Sequence, residues 1–286
     1  MPRSEQKPLP QGLNWIVCRI AEPNGEVERT TLKVLHVWDQ AGVGSLIAKT
    51  QRDLLGWDSH LIIRYPYDPY GIVKYYGGEI YRCPASAFKA ISLFKSMEHD
   101  IAHIHSLDTY VPMLSRIRPT ILHYHGSDIR GKWAQRRPYW EKARQILVST
   151  PDLLEGAPTN VTYLPNPVDT DLLTPRPELR VEGTAVHLIA NSQDIAWARS
   201  RAEKMNLRLT LLRREFKYED MVSVLSPFEY LIDRTSVKSL SKTALEALAC
   251  GLKVVAWNCD VVYELPKEHK PENVTVQLRN LIEHLR

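Results

Sequence analysis

The stretch Ser236–Trp257, SVKSLSKTALEALACGLKVVAW, decides how the chain is read. A polar loop rich in Ser and Lys leads into a short helix with Leu245, Leu248 and Ala249 on one face. Gly251 stops the helix, and Val254–Val255–Ala256 follows as a buried strand. The free N–H groups at the helix start, from Thr243 through Ala244 to Leu245, favour a phosphate. Glu246 stands in the first turns, where a carboxylate can reach a ribose hydroxyl. A plainer reading fits the same residues. Glu246 lies three residues after Thr243, the spacing of a capping box, in which it would only tie up a backbone N–H.

The whole chain suits two α/β domains, since 286 residues are too many for one small core. The net charge of +4 permits an anionic ligand or membrane surface and demands neither. Cys18, Cys83, Cys250 and Cys259 are scattered, with no CxxC pair, which fits a reducing cytoplasm and argues against a zinc site or disulfide scaffold. No apolar run approaches the ~20 residues that span a bilayer. The start, MPRSEQKPLPQ, is polar and unlike a signal peptide, and residues 1 to 12 are expected to be disordered. LNWIVCRIAE reads as an extra strand before an Asn24–Gly25 turn.

The first α/β unit opens as a right-handed βαβ, with a strand over Leu32–Trp38, a Gly42–Gly44 turn, a helix and the strand SHLIIR. Ile47 stands where a dinucleotide fingerprint has its third glycine, so NAD is disfavoured. Residues 65 to 84 read as a Tyr-rich loop with one short strand. Ser86–Met97 is a helix expected to turn Phe88, Ile91 and Phe94 to the core. IAHIH is a strand, and Ile121–Tyr124 is a buried strand ending at His125 and Gly126. Ligands collect beyond the carboxyl ends of strands in open α/β sheets, so His125 is a candidate cleft residue and His123 a buried one. Residues 131 to 144, GKWAQRRPYWEKAR, mix cations with Trp133, Tyr139 and Trp140, a composition that suits either a lipid headgroup layer or a solvated basic face. The second unit runs through AVHLIA, a helix, LRLTLLR and EYLID to the opening stretch, and a last helix covers 271–286.

Three segments resemble a known family. Leu-Glu-Ala-Leu-Ala-Cys-Gly with its flanks resembles the donor-nucleotide site of retaining GT-B glycosyltransferases, family 4 in particular. His125-Gly126-Ser127-Asp128 resembles the family's strand end, and NVTYLPNPVDTDLL resembles its crossover between domains, with Pro167 in place of a glycine. Asp169-Thr170-Asp171 is therefore read as crossover and not as a metal-binding Asp-x-Asp. The resemblance implies a GT-B fold: an N-terminal extension to residue 31, an acceptor domain over 32–172, a donor domain over 173–270 and a helix over 271–286 that crosses back. It implies sugar transfer from a nucleotide-sugar donor to a glycan or lipid-linked acceptor, with retention, no metal and no cofactor. His125 would be catalytic and Gly42 and Gly44 would form an acceptor or phosphate loop. A peripheral membrane contact is compatible, and a nucleic-acid partner is not expected.

The chain departs from the family in two places. The usual Gly-Arg and following Lys that clamp the diphosphate are replaced by Ala190-Asn191-Ser192 and Ala196. The first of the paired glutamates is Lys238. An ammonium only donates hydrogen bonds, so Lys238, with Ser241 and Lys242, is expected to supply part of the missing clamp. A diphosphate without cationic help is a poor leaving group, which leaves open a GT-B protein that binds without transferring.

Overall fold

The computed structural model describes residues 31–189 and 191–285. The strand and turn expected within residues 13–25 and the disorder expected at residues 1–12 fall outside them. Seven strands form the first sheet: β1 Lys33–Val37, β2 Asp58–Arg64, β3 Glu79–Tyr81, β4 Ile101–His105, β5 Thr120–Tyr124, β6 Gln145–Val148 and β7 Val161–Tyr163. Their order is β3-β2-β1-β4-β5-β6-β7, and every neighbouring pair is parallel. Five strands form the second: β8 Val181–Leu188, β9 Arg208–Leu212, β10 Phe228–Ile232, β11 Lys253–Val255 and β12 Val261–Val262. Their order is β12-β11-β10-β8-β9, parallel except for the antiparallel edge strand β12, which the sequence did not reveal.

The near-continuous apolar runs of β1, β4, β5 and β6 follow from a sheet covered on both faces. Between the strands run α1 Val43–Leu55, α2 Ile72–Tyr75, α3 Ala85–Met97, α4 Val111–Leu114 and α5 Trp133–Trp140 in the first lobe. The second lobe holds α6 Ser192–Lys204, α7 Met221–Leu225 and α8 Lys242–Ala249, and α9 Pro271–Glu283 follows it. The Tyr-rich loop thus contains a short helix, α2, as well as β3.

Two expectations need correction. In α3 the buried stripe is Phe88, Ser92 and Ser96, while Phe94 is 67 % exposed. The two serines bury because their hydroxyls donate back to the carbonyls of Phe88 and Leu93. In α5, Trp133 belongs to the core, with its indole N–H on the carbonyl of Leu153, and Trp140 donates to the carbonyl of Trp133. The headgroup-layer reading of this segment therefore loses its two indoles to packing. Among the described residues no helix is long and apolar enough to cross a membrane.

The chain passes between the lobes twice. The first crossing, after β7, buries Leu164 and Val168, and Asp169 accepts from Tyr76 Oη at 2.8 Å and from the amides of Asp171 and Leu172. Those bonds make Asp169 a turn anchor. The second crossing returns the chain to α9, where Val274, Leu278 and Ile282 pack on Val34, Ile47 and Ile121 of the first lobe. Thr275 donates to Thr50 at 2.7 Å across that contact. The two crossings touch: the Val168 amide donates to the His269 carbonyl at 2.9 Å, and His269 Nδ1 lies 2.8 Å from the Asn166 carbonyl.

Candidate functional site

A cavity of about 530 Å³ lies between the lobes, at the carboxyl ends of both sheets. Gln40, Ser106, His125 and Thr150 line it from beyond β1, β4, β5 and β6. Arg234, beyond β10, and Ser241 and Lys242, at the start of α8, line it from the second lobe. This is where an open α/β sheet receives ligands.

The start of α8 is built around Asp233. Its buried carboxylate accepts from the Ser241 amide at 2.9 Å and from Ser241 Oγ at 2.6 Å, and burial raises its pKa. Ser241 is the N-cap, accepting from the Ala244 amide at 3.1 Å, and the Leu245 amide bonds to the Ser241 carbonyl. The phosphate donors expected at Ala244 and Leu245 are therefore used within the helix, and the Lys242 and Thr243 amides remain at its open end. With Ser241 as cap, Glu246 falls outside the capping-box position.

Glu246 is 0 % exposed, and its carboxylate sits 3.4 Å from Lys242 Nζ and 3.7 Å from Arg214 Nη1. Burial lowers the pKa of Lys242, whose Nζ also donates to the Pro167 carbonyl at 2.8 Å. A ribose would have to displace these cations to reach Glu246. Lys238 is exposed and does not line the cavity; the position expected of it is held by Arg234, which has no ion-pair partner among the described residues. Arg130 also lines the cavity, but its charge is spent on Asp152 at 2.7 Å. Where second-lobe cations were expected the chain buries a carboxylate: Asp194 accepts from the Thr235 amide at 3.0 Å and from the hydroxyls of Thr235 and Ser236 at 3.2 Å. Asp194 thus ties down the loop carrying Arg234, a role the sequence reading missed.

The Gly42–Gly44 loop provides its own anion. Asp39 accepts from the Gly44 amide at 2.8 Å and from Ser45 Oγ at 2.6 Å, so a side-chain carboxylate occupies the N-terminal end of α1. Burial raises the Asp39 pKa to about 6. Gly42, at φ +79°, makes the turn before the helix, and a Cβ there would meet Ile72 Cγ2 at 2.8 Å. The loop's tight turn stands; Asp39 takes the place of the expected phosphate.

His125 edges the cavity, but both its ring nitrogens point elsewhere. Nε2 lies 3.0 Å from His105 Nδ1, and Nδ1 lies 2.5 Å from Ser149 Oγ. Asp128 holds the turn by accepting the amides of His125 and Gly126 at 2.9 and 2.6 Å. Burial pushes the His125 pKa down to about 4, so the ring is neutral at pH 7. His105 is one of four further histidines, with His36, His103 and His123, that share this face of the sheet, all of them buried. The signal for them is present in IAHIH and ILHYH, each placing two histidines two residues apart, but pairing β1, β4 and β5 in register is needed to see one group.

No family model matches the chain, and no curated protein matches it. Solved structures do. Anabaena HepE, solved in complex with UDP-glucose, superposes with a TM-score of 0.57 at 13 % identity, over 88 % of this chain and 90 % of that one. An S. aureus MnaA–UDP structure gives 0.47 at 11 % identity over 89 % of each chain. Acinetobacter baumannii MurG gives 0.42 at 13 % identity, over 89 % of this chain and 92 % of that one. What the chain shares with HepE at 13 % identity is the fold. Two Rossmann-like lobes with parallel sheets, their carboxyl ends meeting at a cleft, place it in the GT-B class.

Proposed function

We propose that the chain binds a nucleotide-sugar in the cleft and transfers the sugar to a glycan or lipid-linked acceptor, with retention of configuration and without a metal at the diphosphate. The carrying observation is the approach of Arg234, Lys242 and the open end of α8 to one cavity from the second lobe. Unpaired cation and helix start together favour a diphosphate and stabilise it as it leaves. HepE, whose fold the chain shares, was solved with a nucleotide-sugar. Titration calorimetry with nucleoside diphosphates and their sugars tests the binding. Mass spectrometry of acceptor mixtures then tests the transfer, and the anomeric proton signal of the product reports its stereochemistry. No heat with any nucleoside diphosphate removes the proposal.

A second reading, binding without transfer, is favoured by one arrangement. Glu246 is closed between two cations, and neither ring nitrogen of His125 faces the cavity. Tight binding of a nucleotide-sugar that is neither hydrolysed nor transferred would select this reading.

A further inference from the structure

The face of the first sheet beneath α1 changes character along its strands. Val34, Ile101, Ile121 and Leu147 pack in an apolar layer with α9. Two residues further on, toward the cleft, the same face carries His36, His103, His123 and Ser149, and next come His105 and His125. Alternation along a strand keeps all of these on one side.

The hydrogen bonds of this layer leave His103 out. Gln51 Oε1 accepts from Ser59 Oγ at 2.7 Å and lies 2.8 Å from His36 Nε2. That contact places the His36 proton on Nε2 and leaves a lone pair on Nδ1, which faces His105 Nε2 at 3.2 Å. His103 is wholly buried, and neither of its ring nitrogens has a partner. Its ring lies 4.9 Å from that of His36 and 4.3 Å from that of His105, centre to centre. An unpartnered buried imidazole is costly, and proteins rarely keep one without a use for it.

One nitrogen from each of His36, His103 and His105 lies within 4.8 Å of the other two. Two Zn–N bonds of about 2.0–2.1 Å at a tetrahedral angle set their nitrogens roughly 3.3 Å apart. The His36–His105 separation of 3.2 Å matches that spacing. Gly44 leaves the place open: a Cβ there would stand 3.1 Å from His105 Nε2.

We propose that His36, His103 and His105 form a binding site for a divalent transition metal ion of the zinc type, set in the floor of the cleft behind His125. All-imidazole ligation suits zinc and its neighbours among the divalent metals. Burial pushes the His36 pKa down to about 4 and holds His103 and His105 well below the usual range, so all three are neutral ligands at pH 7. With His105 ligating through Nε2, its single proton would sit on Nδ1, 3.0 Å from His125 Nε2, and the His125 proton on Nδ1, 2.5 Å from Ser149 Oγ. Each ring holds one proton throughout, and the imidazoles release none. The site thereby connects to the cleft through His125. It stands whether or not the chain transfers sugars.

The experiment uses the full chain, stripped with chelator and titrated with Zn2+ and with Co2+. One equivalent of either ion should bind, the Co2+ form should gain visible absorption, and X-ray absorption of the parent protein should show at least three imidazoles around the ion. His103→Phe, which removes a ligand, should abolish uptake, and His123→Phe should retain it. Gln51→Leu, which frees His36, should weaken binding by about 10–100-fold, the usual cost of losing a ligand's outer hydrogen-bond partner. No uptake by the folded parent overturns the site. So does uptake that survives His103→Phe, or uptake lost equally in His123→Phe. If His103→Phe does not fold, the parent's absorption spectrum decides alone, and fewer than three imidazoles overturns the site.

Discussion

The α-carbon of Gly44 faces the ring of His105 so closely that an added Cβ would lie 3.1 Å from both Nε2 and Cδ2, and 3.0 Å from Leu61 Cδ1. The first turn of α1 can lie on the histidine layer only because position 44 has no side chain. Gly44→Ala sets a helix-propensity gain of at most about 1 kcal/mol against overpacking that typically costs about 1–3 kcal/mol. The variant should be the less stable in urea unfolding, and equal or greater stability would show that α1 can shift away from His105.

The histidine layer should make stability depend on pH. The His36 pKa is about 4 in the native protein against an ordinary 6.5, so between those values the unfolded chain binds more protons. Its contribution is fully present above pH 6.5 and is lost as pH falls to 4, about 3 kcal/mol for this ring. His103, His105 and His123 act in the same direction. Asp39 opposes them, because its pKa is raised from 3.8 to about 6 and protonation below 6 favours the native state. Asp108 and Asp233, raised by burial as well, oppose them too. The buried rings, His125 included, outnumber these carboxyls, so denaturant midpoints should fall steadily from pH 7 to pH 5. A flat profile would mean that the rings are charged or solvated in the native state.

Arg234 and Lys238 separate two versions of the diphosphate site. Arg234 lines the cavity and Lys238 does not. Arg234→Ala should weaken nucleoside diphosphate binding by about 1.5–3 kcal/mol, the range of a charge-assisted hydrogen bond, and should affect the plain nucleoside far less. Lys238→Ala should leave both affinities alone in calorimetry. The reverse pattern would return the clamp to Lys238.

Glu246 should behave as a structural ion-pair partner. Glu246→Gln leaves Lys242 and Arg214 facing each other without the anion that both approach. Breaking a buried pair from one side costs about 3–5 kcal/mol, which denaturation will read directly. Unchanged stability together with lost donor affinity would instead restore the ribose role suggested by its place in the helix.

Much of the architecture was legible because each element carries its own signal. The β1 and β5 runs are apolar enough to announce buried parallel strands, and Gly251, at φ +79°, marks the end of α8 as expected. The site was less legible, because its side chains answer to partners far along the chain. Glu246 reads as a ribose ligand until Arg214 closes on it, and the Gly42–Gly44 loop reads as a phosphate cradle until Asp39 turns back into it. His103 looks like one more residue of a buried strand; only its register with His36 shows that two imidazoles are adjacent. Phe94 fits the helical period as well as Phe88 does, and which stripe faces inward was settled by serines able to satisfy their own hydroxyls.

The two crossings between the lobes are stitched side by side by Val168, Asn166 and His269. A body joined to another by two adjacent straps behaves like a door on one hinge pin. A swing of the second lobe that keeps those bonds also has to part Tyr218 from Tyr70 and Tyr76, and Ser239 from Asp152, which bridge the lobes away from the straps. The cleft would thus open by bending about the straps only as those contacts yield. The pin lies beside the cleft, since Asn166 also lines the cavity, and small rotations there become larger displacements at the far rim.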